Sequence, residues 1–169
     1  EKTHTNLMKD ALKGIETYIG YFDHKIQIGY YLNRLIQLSL KKNLEKITKY
    51  KPRLAHGDFF LENLIYYKRK IFVIDHQDLH YNHPCLDIAS LIFDARRQYS
   101  SKVEDRCIKE YAKKSNQAFR ETAYDIHLVS LARNLRILGN WINLYRSGKP
   151  QYLKKYRKST WTQIFKHVE

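Results

Sequence analysis

The stretch "LAHGDFFLEN", residues 54–63, sets His56, Gly57 and Asp58 after a short apolar run and Asn63 five positions beyond the aspartate. It is too polar for a core strand and too short for a helix. Just downstream, "KIFVIDHQD" (residues 70–78) is a β-type run that ends on Asp75. Between the two, "NLIYY" and "KIFVID" flank "KRK", and both are rich enough in β-branched and aromatic residues to read as the strands of a hairpin. A hairpin brings its two ends together, so Asn63 and Asp75 are expected to approach one point.

An amide oxygen and a carboxylate are hard oxygen ligands. They suit Mg²⁺, which keeps several waters and takes further ligands from phosphate. Asp58 is then free to accept a proton from an attacking hydroxyl. A base to orient the nucleophile and metal ligands to neutralise developing charge are the parts of a phosphoryl-transfer site. Taken alone, Asp58 reads as a turn residue. Its spacing to Asn63 and Asp75 is what lifts it to a candidate base.

Composition bounds the alternatives. The 169 residues fit one domain, 1–169, with 43% apolar residues and 14 tyrosines, enough for a real core and against disorder. Net charge is +14, from 31 Lys and Arg against 17 Asp and Glu. Such an excess favours anionic partners in general. The cations are nevertheless scattered through "KKNLEKITKYKPR", "KRK", "KKS" and "KKYRK" at spacings that suit solvated helix faces. Cys85 and Cys107 match no zinc or redox spacing and read as free thiols. No apolar run approaches the roughly 18 residues of a membrane span and no signal peptide opens the chain, so a cytoplasmic protein is expected.

Along the chain, residues 6–50 carry a helical pattern. Leu32, Leu35, Ile36, Leu38, Leu40, Leu44 and Ile47 recur near the helical period, and Pro52 stops it. "RLAHGD" reads as a short strand entering a loop, and "LHYNHP" as a loop whose Pro84 opens a helix near Cys85. Further helices are expected at about 85–99, 102–119, 121–146 and 151–166, with Gly148 and Pro150 separating the last two. The expected fold is α+β and mainly helical, with a small β-hairpin region. Its unusual polar residues lie between His56 and Asp87.

"HGDFFLEN" followed by "VIDHQD" resembles the catalytic and metal-binding loops of the protein-kinase-like fold, in the small-molecule branch that holds the aminoglycoside phosphotransferases and choline kinases. Gly57 stands where protein kinases have Arg, and Asp75-His76-Gln77 replaces Asp-Phe-Gly, which disfavours a protein substrate. "HPCLDIASLIFDAR" is similar to the helix after the metal aspartate. "ARNLRILGNW" and "SGKPQYL" resemble the C-terminal helices of bacterial N-acetylmuramate and N-acetylglucosamine kinases. The resemblance implies the C-terminal lobe of that fold, with ATP and Mg²⁺ as cofactors and a sugar or amino sugar as substrate. It makes Asp58 the catalytic base and Asn63 and Asp75 the magnesium ligands that meet the nucleotide. His56 would brace the loop, and Asp87 would be a buried aspartate tying a helix start to it. Asp78 is an accessory metal candidate or, equally, a solvated carboxylate. Asp87 reads equally as a helix-dipole partner. Arg133 and Arg136, one turn apart, are candidate contacts for a substrate carboxylate or phosphate, although a solvated surface position is the favoured reading.

The nucleotide-binding lobe of that family is expected to be absent. None of the six glycines forms a Gly-x-Gly pair, and a helical pattern precedes the catalytic loop. The lobe would then lie on a longer form of the chain, on a second chain, or be lost. Two rivals remain. His56, His76, His80 and His83 beside Asp75 and Asp78 suggest a His/Asp metal-dependent hydrolase, though the histidines fall in loops rather than on one helix face. A truncated, inactive remnant acting as a basic module for RNA would explain the charge but not the Asp58–Asn63–Asp75 spacing, so nucleic acid is disfavoured.

Overall fold

A computed structural model describes residues 4–26, 38, 42 and 50–167 of the chain. The fold is built around one long helix. α4 (Phe119–Arg146) has Ile126, Val129, Ala132, Leu135, Leu138 and Ile142 all at 2% exposure or less. These positions spread round much of its circumference, the pattern of a helix surrounded by neighbours. It packs against α1 (His4–Ile26), α2 (Leu86–Ile92), α3 (Ser101–Ser115) and α5 (Pro150–Lys166). The main core joins Leu7, Ala11, Ile15 and Ile19 of α1 to Leu86, Ala89 and Ile92 of α2, Ile108 of α3 and the α4 stripe. A second cluster gathers Ala95, Ile137, Trp141, Ile142 and Leu153 at the α4–α5 end.

Local chemistry explains the helix boundaries. α3 stops at Asn116, whose left-handed backbone (φ 55°) lets the Gln117 N–H donate to Ala112 O at 3.0 Å. α4 closes through Lys149 N–H to Leu144 O (2.9 Å) over Gly148 at φ +82°, and Pro150 then opens α5. α2 is shorter than the expected 85–99. Asp94 accepts the Arg96 N–H at 2.9 Å and its carbonyl accepts the Arg97 N–H, a local turn that competes with the helix. The cations of α3 (Lys102, Arg106, Lys109, Lys113, Lys114) and α5 (Lys154, Lys155, Arg157, Lys158) are exposed, as expected for solvated faces.

Two small antiparallel sheets sit beside the helices. β2 (Leu64–Tyr67) and β3 (Lys70–Val73) form the expected hairpin, with Leu64 opposite Val73 and Tyr67 opposite Lys70. Its two turn residues, Lys68 (φ 47°) and Arg69 (φ 61°), both adopt positive φ, as a tight two-residue hairpin turn requires. β1 (Arg53–Ala55) pairs with β4 (His80–Asn82), Ala55 opposite His80. The expected loop "LHYNHP" is therefore partly a strand. Its partner lies 25 or more residues upstream, so the pairing comes from tertiary contact and not from propensity. Of the expected helix over 6–50, α1 covers His4–Ile26, and Leu38 and Lys42 are helical and exposed. Leu32, Leu35, Ile36, Leu40, Leu44 and Ile47 lie outside the described residues. Among the described residues no helix is long and apolar enough to cross a membrane.

Candidate active site

The loop after β1 is pinned from three sides. The Asp87 carboxylate, in the first turn of α2, accepts the N–H of His56 at 2.8 Å and of Gly57 at 3.1 Å. This is the tie between helix start and loop expected of Asp87, here with a half-buried carboxylate. The His56 ring is buried and donates its Nε2–H to the Ile74 carbonyl at 3.0 Å, which brings the loop against the end of the hairpin. Its Nδ1 is buried without a hydrogen-bond partner among the described residues. Gly57 sits at φ +87°, and a Cβ there would lie 2.8 Å from the His80 ring and 3.1 Å from Asp78 O. Both the backbone conformation and the space demand glycine.

Asp58, half-buried, leads into a 3₁₀ turn, Leu61–Asn63. The buried Asn63 bridges the two loops. Its Nδ2 donates to Asp58 O at 2.9 Å, and its own carbonyl accepts the Ile74 N–H at 3.0 Å. With Nδ2 so engaged, Oδ1 is left to face a ligand. One residue past Ile74, Asp75 is exposed and adopts a left-handed conformation (φ 62°, ψ 48°) that opens a second 3₁₀ turn, His76–Asp78. Aspartate tolerates this region better than most residues. The structure thus brings Asp58, Asn63 and Asp75 to one end of the hairpin, braced by His56 and Asp87. Asp78 lies on the adjacent turn with an exposed side chain.

Of the other loop histidines, His76 is exposed, while His80 and His83 are engaged in the scaffold. Asn82 Nδ2 donates to His80 Nε2 (3.0 Å), and His80 Nδ1–H donates to Asp78 O (2.7 Å). His83 is buried, and its Nδ1 accepts the Cys85 N–H at 3.1 Å. Among the described residues no three His, Cys, Asp or Glu side chains converge on a metal position. The donor set beside Asp58 is an amide and a carboxylate, which fits a hard cation finished by water and phosphate better than zinc.

Behind the loop lies a layer of charge that sequence reasoning missed. Asp94 is 2% exposed and held bidentately by Arg96, with Nη2 to Oδ2 at 2.6 Å and Nε to Oδ1 at 3.0 Å. Burial pushes the Asp94 carboxyl up, but the Arg96 bonds and the nearby Arg133 outweigh it and hold it below the usual carboxylate range. The Arg96 guanidinium also lies 4.0 Å above the Phe60 ring, and Arg97 pairs with Glu62 at 2.8 Å. These contacts clamp the segment after α2 onto the loop that follows Asp58. The signal for them was the run Phe93-Asp94-Ala95-Arg96-Arg97 directly after an apolar helix.

Arg133 corrects an expectation. It is 4% exposed rather than on a solvated surface, because it lies on the wall of α4 near Asp94 and the loop that carries Asp58. Burial lowers its pKa to about 10, with Asp94 and Asp58 opposing the shift and Arg136 and Arg96 adding to it. Its Nε and Nη1 have no hydrogen-bond partner among the described residues. Arg136, one turn on, is half-buried, and its Nε is also without a partner among the described residues. It reaches a different space, described below.

Residues 23–124, more than half of the chain, match the phosphotransferase enzyme family, and the match includes the whole segment from His56 to Asp87. The chain is also similar to the N-acetylmuramate/N-acetylglucosamine kinase of Caulobacter vibrioides, 33% identical over 106 residues. That stretch is 58% of this chain and 29% of the curated relative, so the chain spans only part of the relative's length. The paired loops, the hairpin that joins them and the helix that pins them all fall within the matched segment, and this chain belongs to the phosphotransferase enzyme family.

Proposed function

We propose that this chain forms the C-terminal, acceptor-binding lobe of an ATP-dependent phosphotransferase that modifies a hydroxyl of a small molecule, with an amino sugar as the first choice. The observation that carries this reading is the Asn63 bridge. One side chain binds the backbone of Asp58, and its backbone binds the residue next to Asp75. A candidate base and two candidate metal oxygens are therefore held as one unit. The similarity to a kinase whose name gives N-acetylmuramate and N-acetylglucosamine supports the choice of acceptor.

In this mechanism Asp58 orients the acceptor hydroxyl and takes its proton as the new phosphate ester forms. His56 and Asp87 hold the loop so that this carboxylate keeps its place. Asn63 Oδ1 and the Asp75 carboxylate would hold Mg²⁺, which when bound neutralises charge on the transferring phosphoryl group. In this reading the phosphate cradle belongs to the nucleotide lobe with which the protein is completed in the test.

The test is transfer of labelled phosphate from ATP to a panel of amino sugars, aminoglycosides and choline, using the protein completed with its nucleotide lobe. Turnover of at least one acceptor is expected. Asp58→Ala should lower kcat by about 10²–10⁴ with little change in nucleotide affinity. Transfer to none of the panel, or full activity without Asp58, would sink the reading.

A further inference from the structure

α1 and α4 cross at two glycines. A Cβ on Gly139 would lie 2.6 Å from Gly14 Cα, and one on Gly14 would lie 2.3 Å from the Leu135 carbonyl. Backbone meets backbone there, so the side chains one turn away flank a groove instead of filling it. The groove has a volume of about 240 Å³, and its walls are Asp10, Lys13 and Thr17 of α1 and Arg136, Asn140 and Asn143 of α4. Each triplet is spaced so that its members share one helix face. These inward faces are polar, although the same two helices build the apolar core below.

The groove's groups are free to bind. Among the described residues Asp10, Lys13 and Arg136 take part in no ion pair, and the buried Arg136 Nε has no partner. Thr17 donates to Lys13 O at 2.7 Å, which leaves its oxygen as an acceptor. Arg136 also lines a narrow recess of about 30 Å³ that reaches Gly57 and His80, beside Asp58. The groove and the recess share Asp10 and Arg136, so the groove adjoins the loop at Gly57, the residue before the candidate base.

We propose that this groove is the acceptor subsite and that it is built for a single sugar ring carrying a carboxylate, with Arg136 and Lys13 as the anion-binding pair. The proposal rests on the phosphotransferase reading and extends it to the acceptor's charge and size. A groove of about 240 Å³ is at the small end for a ligand pocket and suits one substituted ring. Two cations against Asp10 leave a net positive charge that favours an acid over a neutral sugar. Asn140, Asn143 and Asp10 supply the donors and acceptors that ring hydroxyls and an acetamido group need. An Arg–carboxylate pair adds orientation as well as attraction, and so fixes which hydroxyl faces Asp58.

Binding is measured on this chain by calorimetry or ligand-observed NMR without ATP, so failure of phosphoryl transfer cannot imitate failure of the subsite. The probes are N-acetylmuramate, N-acetylglucosamine (the same ring without the lactyl carboxylate) and free lactate. The expected result is binding of N-acetylmuramate about tenfold or more tighter than N-acetylglucosamine, a gap that closes in Arg136→Gln. Asn140→Ala changes an exposed position that does not threaten folding, and it should weaken both sugars. If no sugar binds at millimolar concentration, if both bind equally, or if Asn140→Ala and Arg136→Gln in the folded state leave affinity unchanged, the subsite is overturned. Tight, Arg136-dependent binding in a lobe-completed protein that transfers no phosphate would instead overturn the phosphotransferase reading and keep the subsite.

Discussion

Replacing Asp87 with alanine removes the acceptor for two backbone N–H groups at once, those of His56 and Gly57. A hydrogen bond to a charged group contributes about 1.5–3 kcal/mol. His56 is 7% exposed, but Gly57 and the Asp87 carboxylate are only half-buried, so water partly replaces what is lost. The lower end of the range applies to each bond, and the pair is expected to contribute about 3 kcal/mol. For a domain of this length that corresponds to a fall in Tm of about 6–12 °C. Asp87→Asn keeps one acceptor oxygen but loses the charge and one bond, and should cost about half as much. A urea titration reads this directly, with the midpoint moving and the slope unchanged. The control is Asp58→Asn, at a half-buried carboxylate with no side-chain partner among the described residues, expected within about 0.5 kcal/mol of the parent. If Asp87→Ala stays within that margin, or Asp58→Asn costs more, then Asp87 does not hold the loop and the structural and catalytic aspartates have been exchanged.

Two further expectations follow from the helical body. Gly139→Ala should destabilise by about 1–3 kcal/mol, because its Cβ would lie 2.6 Å from immovable backbone, and this overpacking exceeds the ~1 kcal/mol that alanine gains in a helix. Gly20→Ala, with nothing within 4 Å among the described residues, should instead stabilise, and equal effects in a denaturant titration would refute the crossing. The second concerns pH. His127 and His167 share a hydrogen bond between their Nδ1 atoms at 2.9 Å against Phe93, with Glu104, Asp105 and Lys166 as the charged neighbours. Burial lowers both pKa values, that of His167 to about 3, while the unfolded chain takes up these protons near 6.5. The unfolded state therefore binds more protons between those values. The contribution is full well above pH 6.5 and is lost as pH falls toward 3, by about 2 kcal/mol from His167 alone between pH 7.5 and 5. Urea midpoints at pH 7.5 and 5 measure it, and a midpoint that holds or rises on acidification would show that the pair is not buried neutral.

What could be read from the sequence was what short range controls. The β2–β3 hairpin, the approach of Asn63 to Asp75 at its end, and the punctuation at Gly148 and Pro150 each depend on residues within about a dozen positions. There, turn chemistry and alternation already limit the backbone to few choices. Asp87 was expected to tie the loop because its segment resembled a known helix, not because anything local aimed its carboxylate 30 residues back. The tertiary structure decided everything that required two distant segments to choose one another. β4 is a strand only because β1 is there to accept it. α2 ends early because Asp94 finds Arg96, and Arg133 is buried because α4 has neighbours on so many sides. No helical period distinguishes a solvated arginine from one turned toward the Asp58 loop, since both occupy the same kind of position until the surrounding helices are placed. The groove between α1 and α4 is the clearest case. Gly14 and Gly139 lie 125 positions apart and are ordinary helix interruptions in the sequence. Their meaning arises only where the two backbones touch, because it is the missing Cβ atoms that set the helix separation and leave Lys13 and Arg136 facing across a gap.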